Sequence, residues 1–416
     1  MKINTRYRQI QDAFTLKGNA LFRDIAAKEP KSVSAFIPIT WKKAVDFSVW
    51  DDRGNKWIDL TSAIFVTNAG HANQQIKRAI KKQVDADLLF AYNYPTQIKK
   101  QFIDTLLALS PKHLDRVTLL NSGSEAMDIV YKLIKQYGNK HKKKYIISFK
   151  GNYHGRGLSN DLISGNKERA SWSNVTDPGV HFLEFPYEGT ETFDPKKLPP
   201  HKEIAGFVVE TFQGWGAWMY PKGFLNDLSS FAKKVGALVA FDEMQAGFYR
   251  MGPLYGYMTY GSDIKPDILG LGKGISSSLP LGAVLSRKEI IDLDEKADLH
   301  GTQSGNAVVC AAALANIEFL SDKKRIAARE KTMRFFEDRL RALTSSPLIK
   351  QVNVRGMIAA LIFHTTEDAT RVVHACIRNG VLPVCTNKHS IKIAPPLTIT
   401  IPALREVFAV LQEALY

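Results

Sequence analysis

Residues 267–282 read Asp-Ile-Leu-Gly-Leu-Gly-Lys-Gly-Ile-Ser-Ser-Ser-Leu-Pro-Leu-Gly. This segment begins as a short apolar run, typical of a buried strand, and reaches Lys273 between Gly272 and Gly274. Glycines allow a ligand to approach the backbone closely. A partly desolvated lysine amine forms Schiff bases with carbonyl compounds. A solvated loop lysine is the ordinary alternative, so other segments must decide whether Lys273 has a chemical role.

Buried apolar strands alternate with amphipathic helices on the N-terminal side of this segment. The predicted order is strand 117–120, helix 125–137, strand 145–149, strand 206–210, helix 224–234, strand 238–241 and strand 268–271. Such alternation is typical of an α/β fold in which helices cover both faces of a mostly parallel sheet.

Both ends of the chain carry further elements. Residues 44–60 predict two short strands joined by a turn at 52–55, and residues 73–89 have helical spacing. Residues 7–16 predict a helix that precedes an irregular arm. A long helix is predicted over 311–343, and it leads into a strand-rich unit that closes on a helix after Pro402.

Composition indicates a globular protein long enough for two or more domains. The 416 residues are 45% hydrophobic and 23% charged. Residues 1–8 are polar, without a signal-peptide core, and the apolar run at 307–317 is too short to cross a bilayer. The three cysteines, Cys310, Cys376 and Cys385, lack metal-ligand spacing. We therefore expect a cytoplasmic protein that has no disulfides, binds no metal and does not insert into a membrane.

The net charge of +15 raises the question of nucleic-acid binding. The main basic cluster, residues 140–144, lies between a predicted helix and a predicted strand, where a solvated turn is the common arrangement. The chain has no zinc-finger spacing and no aromatic-basic RNA-binding signature. A basic enzyme that attracts small anions is the favoured interpretation.

A candidate anion site follows the strand at 117–120. Asn121-Ser122-Gly123-Ser124-Glu125 opens a helix, where backbone N–H groups and the helix dipole favour a phosphate. The alternative is a serine N-cap followed by an acidic residue in the first turn. The segment alone does not separate these two interpretations.

Asp242 ends the apolar strand at 238–241, at the sheet edge where ligands of α/β proteins bind. A carboxylate there requires a cationic partner, which is either a ligand or a structural arginine. Gln245 follows as an uncharged donor, and Tyr153 and Arg156 follow the strand at 145–149. A lysine, a strand-end aspartate and a helix-start anion site together suggest pyridoxal phosphate (PLP). Tyr153 would stack on its ring and Arg156 would bind a substrate carboxylate.

These segments resemble the class III aminotransferases, which include the acetylornithine, ornithine, 4-aminobutyrate and glutamate-1-semialdehyde enzymes. The resemblance covers roughly residues 45–400. It rests on DDRGNKWIDL (51–60), NAGHANQQIKRAIKKQ (68–83), LLNSGSEAMD (119–128), FKGNYHGRG (149–157), VVETFQGWGA (208–217), FDEMQAGFYRMG (241–252), PDILGLGKGISSSLPLGAV (266–284), HGTQSGNAVVCAAAL (300–314) and IKIAPPLTI (391–399).

The resemblance implies a fold-type-I PLP-dependent transferase. Such an enzyme has a large domain with a mostly parallel seven-stranded sheet and a smaller α+β domain from both termini. The implied division is an N-terminal arm and part of the small domain at 1–60, a PLP-binding domain at 61–315 and the rest of the small domain at 316–416.

The resemblance also implies residue roles. Lys273 matches the Schiff-base lysine that moves the substrate proton, and Asp242 matches the aspartate on the pyridine nitrogen. Arg156 matches the arginine that binds the amino-acid carboxylate. Thr302 matches a threonine that reaches the phosphate from the partner subunit, so a homodimer with shared sites is implied. The other implied cofactor contacts are Ser122, Gly123, Ser124, Tyr153, His154, Glu210 and Gln245.

Two departures concern the substrate. Trp215 stands where ornithine-type enzymes carry a glutamate, and Lys392 stands where they carry the arginine that pairs with it. We expect an aromatic, bulky pocket wall formed by Trp215, with Trp218 as a second candidate. Ordinary packing of either tryptophan under a loop is the alternative.

The expected function is a ping-pong transamination between an amine or amino-acid donor and a keto acid or aldehyde acceptor, with pyruvate or 2-oxoglutarate favoured. Racemases, aminomutases, decarboxylases and lyases on the same scaffold share Lys273 and Asp242, so those residues do not exclude them. A non-enzymatic protein that kept the scaffold is disfavoured, because the residues implied to bind the cofactor are all present.

Overall fold

The computed structural model describes residues 2–11, 18–33, 37–386 and 388–416. These residues form two compact units. The larger comprises Gln74–Gly214 and Trp218–Asp322. The smaller comprises the described residues of Met1–Asn73, together with Trp215–Ala217 and Lys323–Tyr416. Both ends of the chain therefore contribute to the smaller unit.

The described part of the chain contains the following strands and helices. The strands are β1 (Ile3–Asn4), β2 (Gln9–Ile10), β3 (Lys43–Val45), β4 (Ser48–Trp50), β5 (Lys56–Asp59), β6 (Arg116–Leu120), β7 (Tyr145–Phe149), β8 (Val180–Leu183), β9 (Ile204–Glu210), β10 (Leu238–Asp242), β11 (Ile268–Leu271), β12 (Gly282–Ser286), β13 (Ile349–Arg355), β14 (Ile358–Phe363), β15 (Val381–Leu382), β16 (Val384–Cys385) and β17 (Ser390–Ile393). The helices are α1 (Ala20–Ala26), α2 (Ser62–Phe65), α3 (Gln74–Val84), α4 (Gln97–Leu109), α5 (Gly123–His141), α6 (Leu158–Ser164), α7 (Lys167–Ala170), α8 (Phe224–Val235), α9 (Lys288–Ile291), α10 (Ala307–Ser321), α11 (Lys323–Arg341), α12 (Thr366–Arg378) and α13 (Ile401–Leu415).

The larger unit is built on a seven-stranded sheet that lies within the continuously described stretch 37–386. Its strand order is β6-β12-β11-β10-β9-β7-β8. The pairs from β11 to β8 are parallel, and β12 runs antiparallel to both β11 and β6. The prediction of an α/β fold with a mostly parallel sheet is confirmed.

The apolar pattern explains this sheet. Every residue of β9 and β10 is buried, as expected for strands covered on both faces. In α5 the apolar positions Met127, Val130 and Ile134 recur at helical spacing, and they belong to one buried cluster with Val208 of β9 and Ala240 of β10. Burial of this stripe brings the start of α5 close to the sheet edge.

Strand register brings functional candidates to that edge. Asp242 pairs with Glu210 on one side and with Gly270 on the other. Because parallel strands end at the same edge, three consecutive strands deliver their last residues to one place. The loop after β11 then begins with Gly272 and Lys273.

The smaller unit contains two sheets. Among its described residues, the order is β1-β2-β5-β4-β3 with β15 also pairing with β5, and a four-stranded sheet runs β13-β14-β17-β16. The predicted pair of strands between 44 and 60 is present as β4 and β5. Their turn is held by Asp51 Oδ1, which accepts hydrogen bonds from Arg53 N at 3.0 Å and Asn55 N at 2.9 Å.

Three sequence-based helix assignments need correction. The helix predicted over 311–343 is two helices, α10 and α11, which are interrupted at Asp322. Helix α3 ends at Val84, short of the predicted Leu89. The helix predicted over 7–16 is wrong at Gln9–Ile10, which form a strand with Ile3–Asn4, and residues 12–16 lie outside the described part. Local residue spacing does not reveal that the backbone N–H and C=O groups of Gln9–Ile10 form an antiparallel pair with those of Ile3–Asn4.

No helix in the described part of the chain has the length and apolar character that a bilayer crossing requires. The same residues contain no cluster of three or more histidine, cysteine, aspartate or glutamate side chains arranged to hold a metal ion.

The helix α2 is a left-handed turn made of non-glycine residues. Ser62, Ala63, Ile64 and Phe65 have φ values of 47°, 50°, 59° and 69°. Each such residue costs about 1–2 kcal/mol relative to a right-handed conformation. Ser62 Oγ donates a hydrogen bond to Ala394 O at 2.6 Å, which helps to hold the turn.

We expect Ala63→Gly to stabilise the protein by about 0.5–1 kcal/mol, because glycine adopts positive φ without a Cβ clash. Chemical unfolding monitored by circular dichroism measures the change. Ala328→Gly is the matched control, since Ala328 is exposed within right-handed α11 and its replacement should cost about 1 kcal/mol. Equal destabilisation by both substitutions would contradict the strain argument.

Candidate active site

Asp242 is the buried acid at the centre of the sheet edge. His154 Nδ1 lies 2.8 Å from Asp242 Oδ2, and Met244 N donates to Asp242 Oδ1 at 2.9 Å. A carboxylate accepts but does not donate, so His154 Nδ1 carries the proton in this contact. Asn152 Nδ2 lies 3.3 Å from His154 Nε2, which is consistent with that tautomer. The His154 imidazole and the backbone N–H of Met244 therefore orient the Asp242 carboxylate.

Glu210, at the end of the neighbouring strand, ties three segments together. Its carboxylate accepts from Tyr153 N at 3.2 Å, Gly214 N at 3.1 Å and Gln245 Nε2 at 3.2 Å. Because Glu210 is buried, these contacts offset the cost of removing its charge from water. Glu210 thereby fixes the backbone at Tyr153 and the amide of Gln245.

The start of α5 combines the two alternatives that the sequence left open. Ser122 is the N-cap, and its Oγ accepts from Glu125 N at 3.2 Å. Glu125 Oε2 accepts from Asn121 N at 2.6 Å. The first-turn N–H groups of any α-helix have no intrahelical acceptor, so the capped start at Gly123 and Ser124 still offers donors to an anion.

Two glycines let Met244 pack closely against this helix start. A Cβ added to Gly123 would lie 2.7 Å from Met244 Sδ, and one added to Gly272 would lie 2.5 Å from the same sulfur. That added Cβ of Gly272 would also lie 3.4 Å from Gly123 Cα. Met244 thus packs against both the helix start and the lysine loop, which lie next to each other, a role that its place in the sequence did not reveal.

The segment 153–156 passes the same helix start. Gly155 has φ of +133°, and an added Cβ would lie 1.7 Å from Asn160 Oδ1 and 2.7 Å from Ser124 Oγ. Arg156 N donates to Ser124 Oγ at 3.1 Å. Only glycine fits at position 155, and its close approach brings Ser124 and Arg156 together.

Tyr153 is 37% exposed and lies between two arginines. Arg156 Nε donates to Tyr153 Oη at 3.3 Å. The guanidinium carbon of Arg169 lies 4.4 Å from the centroid of the Tyr153 ring, a cation–π contact. Arg169 also forms an ion pair of 3.1 Å with buried Asp161 and donates to Gly155 O. Arg169 was missed in the sequence because no local motif marks it.

Lys273 opens the turn that follows β11. It is partly buried and has φ of 45°, a left-handed conformation for a non-glycine residue. Asp242 is the last residue of β10 and pairs with Gly270 of the neighbouring strand β11. Lys273 follows β11, so the two residues lie at the same edge of the sheet. Strain at a residue in such a position is typical of functional sites.

Thr302 is exposed in the turn before α10. In that turn Gly301 N donates to Ser304 Oγ at 2.9 Å, and Ser304 N donates to Gly301 O at 3.0 Å. A Cβ added to Gly301 would lie 3.0 Å from Asn121 Nδ2. The Thr302 turn therefore lies beside the residue that precedes the N-cap of α5.

The two predicted substrate residues Trp215 and Lys392 belong to the smaller unit. The Trp215 ring meets the edge of His389 at a centroid distance of 5.4 Å, and Lys388 Nζ lies 4.8 Å from its centroid. Lys392 is buried in β17, with Nζ 4.2 Å from the Phe65 ring centroid. Trp218, in the larger unit, is buried and packs against the Tyr187 ring.

Glu243, next to Asp242, is fully buried on the other side of the strand end. It accepts from Gly256 N and Tyr257 N, both at 2.7 Å, and from Thr211 Oγ1 at 2.8 Å. Burial raises the pKa of Glu243 to about 7, against the opposing effect of these hydrogen bonds. It is a structural carboxyl whose hydrogen-bond partners differ from those of the Asp242 carboxylate, although Thr211 N also donates to the backbone oxygen of Asp242 at 3.2 Å.

We expect Glu243 to make stability fall as pH rises from about 4.5 to 7. The folded state holds a proton there that the unfolded chain has released, so the contribution is greatest at low pH and is lost through pH 7. Relative to Glu243→Gln, the wild type should lose about 3 kcal/mol across this window. Urea unfolding at pH 5, 6, 7 and 8 measures the difference, and parallel pH profiles would contradict it.

The sequence profile of the family described as Aminotransferase class-III matches residues 29–415 of this chain. The chain belongs to the class III aminotransferases. As a member, it is a PLP-dependent transaminase of fold type I that uses an amino donor and a keto acid acceptor.

Individual relatives cover most of this aminotransferase. It is 30% identical to an acetylornithine aminotransferase of Methanothermobacter thermautotrophicus, over 87% of this chain and 90% of that protein. It is 29% identical to a 2-aminoadipate transaminase of Pseudomonas putida, over 92% and 97% respectively. The ornithine aminotransferase structure from Toxoplasma gondii superposes with a TM-score of 0.86 at 24% identity, covering 97% of this chain and 95% of that one.

The residues of this aminotransferase fit PLP. Gly123 and Gly272 both pack against Met244, which places the lysine loop next to the start of α5, and that helix start offers donors for the phosphate. Asp242 supplies a buried negative charge for a protonated ring nitrogen, and Lys273 supplies an amine in the turn after the neighbouring strand β11. When bound, PLP acts as an electron sink that stabilises negative charge at the substrate α-carbon.

Proposed function

We propose that this aminotransferase works by a ping-pong mechanism. An amino acid or amine leaves its nitrogen on the enzyme, and a keto acid then takes it. The observation that carries the proposal is the position of Lys273. Its left-handed backbone begins the turn directly after the strand that pairs with Asp242. In this mechanism the Lys273 amine holds the cofactor and moves the proton at the substrate α-carbon.

The surrounding residues would keep the ring and phosphate in place. Asp242, oriented by His154 and Met244 N, would keep the ring nitrogen protonated. Tyr153 would stack on the ring, and Gln245, oriented by Glu210, would donate near the ring hydroxyl. Ser122, Gly123 and Ser124 would bind the phosphate at the start of α5.

Arg156 is the proposed carboxylate binder of both half-reactions. It is exposed, and its Nε–Tyr153 contact leaves the terminal nitrogens of a guanidinium fork to meet a carboxylate. This supports an α-keto acid such as pyruvate or 2-oxoglutarate as acceptor. The names of the two curated relatives, which act on acetylornithine and 2-aminoadipate, agree with a carboxylate-bearing donor.

Trp215 and Lys392 are proposed to shape donor choice. Trp215 replaces the acidic residue of ornithine-type enzymes with an aromatic surface, and Lys392 keeps one positive charge where they carry an arginine. With no carboxylate at position 215, a second amino group on the donor would have no anionic partner from that residue. We therefore propose a donor without a free terminal amine.

A cytoplasmic location stays a prediction.

We also propose a homodimer with shared active sites. Large apolar side chains are exposed together at Leu89, Phe90, Tyr92 and Tyr94. Such clusters favour a protein interface. Tyr92 and Asn93 contact His300 at 3.5 and 3.1 Å, so this surface is continuous with the Thr302 turn. In the dimer, Thr302 would reach the phosphate bound by the partner.

A visible absorption spectrum of the PLP-loaded protein tests the reaction. The protein is titrated with single amino donors in the absence of acceptor, and a keto acid is then added. Bleaching of the cofactor band by a donor and its recovery with pyruvate or 2-oxoglutarate support transamination. A band that shifts with an amino acid and never bleaches would overturn ping-pong transfer in favour of a racemase, aminomutase or lyase.

A further inference from the structure

Asn316 is a polar residue inside an apolar helix. Asn316 lies in α10 and is fully buried. Most of the other residues of that helix are alanine, valine, isoleucine and leucine. A buried amide without hydrogen bonds destabilises a fold, because it has lost its hydrogen bonds to water. Its presence therefore requires a partner that uses its donors.

The partners are two carbonyls of the lysine turn. Asn316 Nδ2 donates to Gly274 O at 2.9 Å and to Ile275 O at 2.8 Å. Asn316 Oδ1 accepts no hydrogen bond from any described residue. The side chain thus acts here as a double donor, and both acceptors lie within two residues of Lys273.

The turn that Asn316 contacts is strained. Lys273 and Ser277 both have positive φ, at 45° and 52°. Within the turn, Ile275 N donates to Gly272 O at 3.1 Å, and Ser278 N donates to Ser276 Oγ at 3.2 Å. Both of these hydrogen bonds lie within the turn, whereas the hydrogen bonds from Asn316 join the turn to helix α10.

We propose that Asn316 is a positioning residue, which holds the Lys273 turn in its left-handed conformation and thereby fixes the direction of the Lys273 side chain. The proposal rests on the proposed function of Lys273. A turn released from α10 would relax toward right-handed φ at Lys273 and move the amine. A misplacement of about 1 Å at a reacting group costs roughly 100-fold in rate.

The first test is independent of the cofactor. Amide hydrogen exchange is measured in cofactor-free protein for wild type, Asn316→Leu and Asn316→Thr. We expect exchange within 272–279 to be at least tenfold faster in Asn316→Leu, which keeps the volume and removes both donors. Asn316→Thr, with one hydroxyl donor, should be intermediate. Unchanged exchange in this segment would overturn the proposal.

The second test is kinetic and spectroscopic. In PLP-loaded Asn316→Leu we expect kcat to fall about 10- to 100-fold, with KM for the donor within about twofold. The pH midpoint of the visible band should shift, because it reports the environment of the lysine amine. A purely structural amide would lower the melting temperature and leave both the midpoint and kcat unchanged, which would overturn the proposal.

Asn226→Leu is the matched control. Asn226 Nδ2 also donates to a backbone carbonyl, Tyr260 O at 3.2 Å, away from the lysine turn. Its replacement should leave hydrogen exchange at 272–279 and kcat unchanged. An inactive wild type would overturn the proposed function, whereas an active wild type matched by Asn316→Leu would overturn only the role of Asn316.

Discussion

Lys273→Ala is expected to abolish transamination, with turnover reduced at least roughly 10,000-fold. Alanine removes the only group at this position that can hold the cofactor and move the substrate proton. The backbone of the turn should persist, because alanine carries the same Cβ as lysine and has a similar cost at the positive φ of position 273. Activity is measured by keto-acid product formation, and fold by circular dichroism and melting temperature.

Lys265→Ala is the matched control for this variant. Lys265 is exposed just before β11, so its replacement removes the same charge at the opposite end of the same strand. Its turnover should equal that of the wild type. Sustained turnover in Lys273→Ala with an intact fold would contradict the mechanism built on the lysine amine.

Asp242→Asn is expected to lower kcat roughly 100- to 1,000-fold, the usual loss when one preorganised electrostatic contact is removed. Asparagine keeps the shape, and its oxygen still accepts from Met244 N. It removes the negative charge that keeps a ring nitrogen protonated. The visible band of the PLP-loaded variant should also shift, since the protonation of the ring changes its absorption.

Glu243→Gln controls for the loss of a buried carboxyl at the same strand end. It alters a group whose partners Thr211, Gly256 and Tyr257 differ from His154 and Met244, which contact the Asp242 carboxylate. Thr211 N donates to the backbone oxygen of Asp242 at 3.2 Å, a bond that this side-chain substitution keeps. Turnover at neutral pH should match that of the wild type. An equal loss of kcat in both variants would mean that general destabilisation, and not the Asp242 charge, explains the effect.

The proposed catalytic pair, Asp242 and Lys273, could be predicted from local sequence because of its position at strand ends. Asp242 follows five apolar residues, and Lys273 follows a shorter apolar run between glycines. Parallel strands deliver their last residues to one edge, so the strand pattern predicts that the two groups lie at the same edge of the sheet. The family resemblance added the cofactor and the residue roles.

The ends of the helices were harder to predict from the sequence. The break at Asp322 separates the almost wholly apolar α10 from the strongly charged α11, a change in composition that the prediction of one long helix overlooked. At the N-terminus, Gln9–Ile10 form a strand with Ile3–Asn4 and not a helix. There, pairing with another segment overrides a local pattern.

The sequence by itself determined the mostly parallel sheet and supplied the candidate site residues, since strand and helix periods and the glycines around Lys273 are local properties. Only the tertiary structure decided how those residues are held. Asn316 reaches Gly274 across 42 positions, and Arg169 of α7 covers the Tyr153 ring. Such contacts depend on where packed helices and strands bring distant side chains, and no short segment encodes that information.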